Sequence, residues 1–280
     1  MINLHVTKIL GTAVIVGIMS IVSPAAQATE TLRLATTTSA TNSGLLTHLL
    51  PAFTETHDIA FEISSVGSGQ ALRMGRMGQM DVVLVNAPAA EQEFVTSGFG
   101  LKRIPFMSNT FVVVGPADAP APVAHAKSVQ DAMRLIASGS TKFVSRADDS
   151  GTHKRELSIW RSLGQTPYGD WYHEAGLGMK ATLSVASDLQ AYTLTDTGTW
   201  LSLRPTLNLI ICYQSDEPLL QNPYSVIAVN PARQTAGSIR VDLAERFITW
   251  LTSEPAQSLI ADFRVDNTPL FEPVADHGEE

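Results

Sequence analysis

The sequence predicts an α/β fold in which two lobes are joined by two crossover strands. Short β-rich runs alternate with helical segments along nearly the whole chain of 280 residues, a pattern typical of βαβ units and parallel sheets. The chain can cross between lobes at a Pro- and Ala-rich turn, 116–122, and at the Asn-Pro step, 222–223. Lobe 1 then comprises 29–113 and 225–280, and lobe 2 comprises 114–224. A cleft between two such lobes is a usual place for a ligand.

The first element, residues 1–28, has the order of a secretory signal peptide. Lys8 precedes an apolar run over 9–22, and Ala26-Gln27-Ala28 forms a small-residue cleavage site. The apolar run is shorter than the roughly 20 residues of a membrane-spanning helix. No cysteine stands directly after the cleavage site, so we expect a periplasmic protein without a lipid anchor.

The elements after the leader follow from hydrophobic periodicity. Strands are expected at 31–35, 60–66, 81–87, 109–115, 142–145, 190–195, 207–212 and 224–229. Helices are expected at 43–56, 69–78, 89–97, from Ser128 onward, and at 151–163, 239–251 and 256–263. The single cysteine, Cys212, ends an apolar run and cannot form an internal disulfide, so we expect it to fill the core.

Composition excludes several classes of function. The formal net charge is −8, and removal of the leader takes away Lys8 and no acid, which argues against nucleic acid as a partner. The seven histidines show no pair at metal-ligand spacing, so neither a metal nor a cofactor is expected. Ser150, His153 and Asp149 resemble a catalytic triad in composition, but all three begin one helix, which disfavours the chain of contacts that acyl transfer needs. We therefore expect a protein that is not an enzyme.

Hydroxyl groups are concentrated at two strand-to-helix junctions. Residues 36–44 carry six Ser or Thr side chains, and 145–153 carry Arg146 together with Ser150, Gly151 and Thr152. Capping alone needs only one or two such side chains. The carboxyl ends of strands and the amino termini of helices are where open α/β sheets bind anions. A third junction, 66–70, is rich in glycine and serine and allows close backbone approach.

The donors at these junctions are hydroxyls, backbone amides and one guanidinium. They suit a ligand that carries only acceptors, such as a fully ionised tetrahedral oxyanion. A buried anion requires every oxygen to be satisfied. The local groups, and not the acidic net charge, determine whether such a site can form.

The same junctions resemble those of the tungstate-binding proteins of ABC transporters, a family of periplasmic oxyanion receptors. The matching stretches are 36–39, 43–46, 66–72, 81–85, 111–116, 145–153, 191–196, 198–201 and 222–224. The resemblance implies a type II periplasmic-binding fold, and tungstate, or else molybdate, as the ligand. It also implies delivery to a membrane permease with its ATPase. By this likeness the oxyanion contacts fall on Thr38, Ser39, Ser68, Arg146, Ser150 and Thr152, with the Gly151 backbone beside them. We expect a monomer, because both lobes must be free to move.

Two alternatives stay open. Phosphate receptors carry a similar Arg-x-Asp-x-Ser-Gly-Thr run, which begins here at Arg146. Phosphate keeps a proton near neutral pH and tungstate does not, so the direction in which Asp148 points distinguishes the two classes. A periplasmic hydrolase or transferase using Ser150 is the other alternative.

Three positions depart from the family pattern. Ala147 stands where glycine is usual, so a positive φ there would be strained. Asn86 stands where histidine is common, and Lys180 where glycine is common. None of these changes removes a hydroxyl group or the arginine.

Overall fold

The computed structural model describes residues 29–118, 121–234 and 239–274. The predicted signal peptide, 1–28, lies outside the described residues. None of the described helices has both the length and the apolar character that crossing a membrane requires.

Strands and helices alternate for most of the described chain. The strands are β1 (Glu30–Thr37), β2 (Ile59–Val66), β3 (Val82–Val85), β4 (Ile104–Pro116), β5 (Phe143–Ser145), β6 (Tyr172–Glu174), β7 (Thr193–Asp196), β8 (Leu209–Tyr213), β9 (Gln221–Ala228), β10 (Arg264–Val265), β11 (Thr268–Pro269) and β12 (Glu272–Pro273). The helices are α1 (Thr38–Asn42), α2 (Leu45–Thr54), α3 (Ser68–Arg76), α4 (Pro88–Thr96), α5 (Ala121–Ala124), α6 (Val129–Ser138), α7 (Gly151–Ser162), α8 (Met179–Asp188), α9 (Thr197–Leu203), α10 (Val241–Leu251) and α11 (Glu254–Asp262).

The first predicted helix, 43–56, corresponds to α2, and a short helix that was not predicted, α1, precedes it. Gly44 has φ +84°, a left-handed conformation that separates α1 from α2. The hydroxyl-rich junction is therefore not an open loop, because Thr38 to Asn42 form α1. The prediction also missed β6, α8 and α9.

The main sheet is mixed, so the expectation of parallel sheets is confirmed for β1, β2 and β3 and is wrong for β4 and β9. Its strand order is β12-β4-β9-β3-β1-β2. β1 pairs in parallel with β2 and β3, whereas β9 lies antiparallel between β3 and β4. The chain re-enters this sheet through β9 after β8, and β9 runs in the opposite direction to β3.

The long strand β4 belongs to two groups of strands. Its first part, from Ile104 to Thr110, pairs with β9. From Phe111 onward it pairs with β7 and β8. The change of partner thus comes inside β4, ahead of the Pro- and Ala-rich turn at which we expected the crossing. The domain limits proposed from the sequence stay a prediction.

Hydrophobic clusters lie on both faces of each group of strands. In the first group, α2, α10 and α11 pack on one face and α3 and α4 on the other. In the second, α6 and α7 pack on one face and α8 and α9 on the other. Trp160, Trp200 and Cys212 are part of the second pair of clusters. Burial raises the pKa of the Cys212 thiol to about 11, consistent with the expected role in the core.

Candidate functional site

The first hydroxyl-rich junction lies at the end of β1. Thr37 caps α1, because its hydroxyl accepts a hydrogen bond from the Ala40 N–H at 3.1 Å. Thr38 is half-buried at the start of this helix, and Ser39 is buried. The Ser39 hydroxyl donates to Oδ2 of Asp196 at 3.0 Å, which ties this junction to the start of α9.

Arg146 follows β5 and is 3% exposed. Its Nη2 donates to Oδ2 of Asp148 at 2.6 Å, and its Nη1 donates to the Thr152 hydroxyl at 3.4 Å. Its Nε has no hydrogen-bond partner. The other oxygen of Asp148, Oδ1, accepts from the Ser150 N–H at 3.2 Å. The carboxylate is therefore turned toward the guanidinium and the helix start.

The amino terminus of α7 places its side chains close to Arg146. Ser150 caps the helix by accepting from the backbone N–H of His153 at 3.2 Å. The hydroxyls of Ser150 and Thr152 accept hydrogen bonds in these contacts, so each keeps its own hydrogen for donation.

The three candidate triad residues contact one another through the backbone. The His153 ring accepts at Nδ1 from the backbone N–H of Asp149 at 3.1 Å, and Ser150 meets the His153 backbone. Desolvation lowers the pKa of His153. These contacts do not form the side-chain sequence of nucleophile, base and orienting acid.

The amino termini of α3 and α7 approach each other very closely. The Gly69 N–H donates to the Asp149 carbonyl at 3.3 Å, and Arg73 forms an ion pair with the Asp149 carboxylate. A Cβ on Gly151 would lie 2.6 Å from the Asn86 backbone oxygen, which is too short for any real contact. A Cβ on Gly69 would lie 2.8 Å from the Asp149 carbonyl oxygen, so glycine there allows α3 to meet the start of α7, while Gly151 allows α7 to meet the end of β3.

Ser68 is fully buried at this meeting point. Its hydroxyl donates to Oδ1 of Asn86 at 2.7 Å. The structure therefore brings Ser68 into the same neighbourhood as Arg146, Ser150, Gly151 and Thr152. Ser39 is held by Asp196 at the start of α9.

Sequence reasoning missed several polar residues of this region. Asp196 caps α9 by accepting from the Thr199 N–H at 2.8 Å. Asn109 and Asn222 are buried on β4 and β9, where they form a hydrogen bond with each other. Asparagine is depleted within strands, and this is the one signal in the sequence that could have drawn attention to each of them singly.

A cavity of about 760 Å³ lies between α4 and α7. Asn86 and Gly151 border this cavity, so it reaches the edge of the Arg146 neighbourhood. The basic side chains of His153, Lys154 and Arg155 also line it.

The chain is similar to known proteins in sequence and in fold. The model of the PBP superfamily domain matches residues 23–255. The chain is 45% identical over 253 residues to the tungstate-binding protein TupA of Peptoclostridium acidaminophilum, covering 89% of this chain and 87% of that protein.

Solved structures give the same result. The tungstate ABC transporter protein from Geobacter sulfurreducens matches with a TM-score of 0.77 at 42% identity, covering 85% of this chain and 100% of that one. The tungstate-binding protein TupA from Desulfovibrio alaskensis matches with a TM-score of 0.74 at 41% identity, covering 88% and 100%. The chain therefore has the periplasmic-binding-protein fold and belongs to the PBP superfamily, within the family of the TupA tungstate-binding proteins.

Proposed function

We propose that this chain is the solute-binding component of an ABC importer. In this proposal it captures a fully deprotonated tetrahedral oxyanion, tungstate in the first place and molybdate as the second choice. The ligand lies between lobe 1 (29–113 and 225–280) and lobe 2 (114–224). The relatives named above, whose own names state tungstate binding, support this choice.

The observation that carries the proposal is the state of Arg146. A buried guanidinium normally has its donors satisfied, since an unpaired buried donor costs about 1–3 kcal/mol and more for a charged group. Nε of Arg146 is buried and unpaired. An anion oxygen at this position would complete its hydrogen bonding, with Thr152 and Ser150 adding hydroxyl donors alongside.

The orientation of Asp148 favours tungstate over phosphate. Both carboxylate oxygens already accept hydrogen bonds, one from Arg146 and one from the Ser150 N–H. A receptor for hydrogen phosphate needs an acceptor for the ligand's proton. Because Asp148 accepts from Arg146 and Ser150, it is not turned to the ligand as an acceptor. The groups proposed to contact the ligand are then hydrogen-bond donors, which a ligand without protons requires.

The predicted contact residues take different parts in this proposal. Thr38, Ser150 and Thr152 donate through their hydroxyls. Ser39 and Ser68 direct their hydroxyl hydrogens to Asp196 and Asn86, so they take part in the site through their backbone N–H groups. Gly151 contributes its backbone N–H at the start of α7.

Replacing Arg146 with Ala tests the proposal. We expect Arg146→Ala to weaken tungstate binding by roughly 3–5 kcal/mol, because one partner of a buried charge pair is removed. Titration calorimetry with tungstate, molybdate, phosphate, sulfate and one sugar would measure this loss and the selectivity together. Arg134→Ala is the matched control, since Arg134 is exposed on α6 and pairs only with its neighbour Asp131. Unchanged tungstate affinity in Arg146→Ala would exclude the site.

The remaining parts of the proposal concern the setting of the protein. The protein is exported to the periplasm and delivers its ligand to a membrane permease, which works with an ATPase. It acts as a monomer and holds neither a metal nor a cofactor. A hydrolase using Ser150 would instead show turnover of a phosphate or carboxylic ester that is lost in Ser150→Ala.

A further inference from the structure

Three asparagines lie where the strands of the two lobes meet. Asn109 on β4 and Asn222 on β9 face each other directly in the antiparallel pairing. Asn86 follows β3, which is the other neighbour of β9. All three are buried: Asn86 and Asn109 are each 5% exposed, and Asn222 is 1% exposed. Burying an amide is costly unless its hydrogen bonds are made, so each of these side chains requires hydrogen-bond partners.

The three side chains form a hydrogen-bonded chain with one direction. Ser68 donates to Oδ1 of Asn86 at 2.7 Å. Asn86 then donates through Nδ2 to Oδ1 of Asn222 at 2.9 Å, and Asn222 donates through Nδ2 to Oδ1 of Asn109 at 2.7 Å. Amide dipoles aligned in this way strengthen one another in a buried environment. We call these four residues the amide chain.

The amide chain ends in a free donor. Nδ2 of Asn109 is buried and has no hydrogen-bond partner. Among the buried side-chain nitrogens of the described residues, only two are unpaired, and the second is Nε of Arg146. Buried unpaired donors are rare in native proteins and each calls for an explanation such as a bound ion.

The two ends of the amide chain lie at different parts of the candidate site. At one end, Asn86 contacts the start of α7, where a Cβ on Gly151 would overlap its Oδ1. At the other end, Nδ2 of Asn109 would lie 3.6 Å from a Cβ on Gly198, near the start of α9. This is the helix whose cap, Asp196, receives the Ser39 hydroxyl. The amide chain therefore connects the start of α7, which carries predicted contact residues, with the start of α9, whose cap contacts Ser39.

We infer that Asn109 is a further ligand-contacting residue, whose Nδ2 donates to an oxyanion oxygen and selects for ligands that carry no proton. This inference rests on the proposed function. If Asn109 turned its oxygen toward the ligand, its own Nδ2 would face Nδ2 of Asn222. Two donors would then oppose each other, and the hydrogen bond between the two residues would be lost. The amide chain thus holds a donor in place, and a donor cannot accept the proton of hydrogen phosphate.

The test compares Asn109→Asp with Asn109→Ala. Aspartate keeps the oxygen that accepts from Asn222 but replaces the free donor with a second acceptor. We expect Asn109→Ala to weaken tungstate binding roughly 10- to 100-fold, the range for a hydrogen bond to a charged group. Asn109→Asp should bind tungstate still more weakly, and its ratio of tungstate to phosphate affinity should fall.

A purely structural role predicts a different order. In that case Asn109→Asp, which retains the contact with Asn222, would bind tungstate as tightly as the wild type, and this result would overturn the inference. If Asn109→Asp does not fold, Asn109→Ser decides, since serine retains a donor: it should bind tungstate more tightly than Asn109→Ala, and equal affinities would overturn the inference. Absence of oxyanion binding by the wild type would instead refute the proposed function itself.

Discussion

Replacing Gly151 with Ala should block the close meeting of α7 with the end of β3. The added Cβ would lie 2.2 Å from Oδ1 of Asn86 and 2.6 Å from its backbone oxygen. The Asn86 side chain can turn only by breaking its hydrogen bonds with Ser68 and Asn222. Its backbone oxygen follows a strand held on both sides by β1 and β9. The helix start would have to retreat by about 0.8 Å to reach 3.4 Å, where ordinary contact begins.

Overpacking of this kind costs typically about 1–3 kcal/mol. If α7 and the end of β3 meet only when the proposed lobes close on the ligand, the cost appears in binding and not in folding. Gly151→Ala should then weaken tungstate binding roughly 5- to 150-fold, with an unchanged thermal midpoint for the unliganded protein. Calorimetric titration and thermal unfolding of the same preparation measure the two quantities.

Gly178→Ala is the matched control, because it also adds a methyl group at a helix start. A Cβ on Gly178 would meet nothing within 4 Å, and its φ of −64° suits alanine. Binding by Gly151→Ala within twofold of the wild type would refute the steric reasoning. So would a fall in the stability of the unliganded protein that accounts for the whole loss of affinity.

Two further predictions concern stability. Ala147 has φ +47°, a conformation that costs an alanine about 1–2 kcal/mol, while glycine loses only about 0.5–1 kcal/mol through backbone entropy. Ala147→Gly should therefore raise the free energy of unfolding by about 0.5–1 kcal/mol in a urea titration, and a decrease would show that the loop is unstrained. Burial raises the pKa of the Glu156 carboxyl to about 7, despite hydrogen bonds from Tyr172, Ser145 and Trp160. Because the folded state favours the protonated carboxyl, Glu156 contributes stability that is fully present below about pH 4.5 and is lost as the pH rises through 7. Glu156→Gln should remove about 2–3 kcal/mol of the difference in unfolding free energy between pH 5 and pH 8, and an unaltered pH dependence would contradict this assignment.

Most strands and helices could be predicted because their apolar periodicity is strong. The pairing direction could not, since the alternation of strands and helices does not show that β9 enters between β3 and β4. Residues near Arg146 were predictable because they lie together in one short stretch that also carries a family motif. The positive φ suspected at Ala147 was confirmed for the same reason, as a single local position.

The amide chain was beyond prediction because its members are distant in sequence. Asn109 and Asn222 are 113 residues apart, and Asn86 and Asn222 are 136 apart. Each one taken alone resembles a turn residue or a weak interruption of a strand. Only the pairing of β4 with β9 brings them together, and that pairing depends on the whole intervening part of the chain.

The position of β9 also has a consequence during synthesis of the chain. β3, with the sequence Val-Val-Leu-Val, is completely buried in the finished sheet. One side of it stays bare until Gln221–Ala228 has emerged and inserted beside it. An uncovered apolar edge of this kind recruits other nascent chains. Truncated products that end before Gln221 should therefore aggregate. Rapid synthesis of the last quarter of the polypeptide shortens the time for which this edge of β3 is exposed.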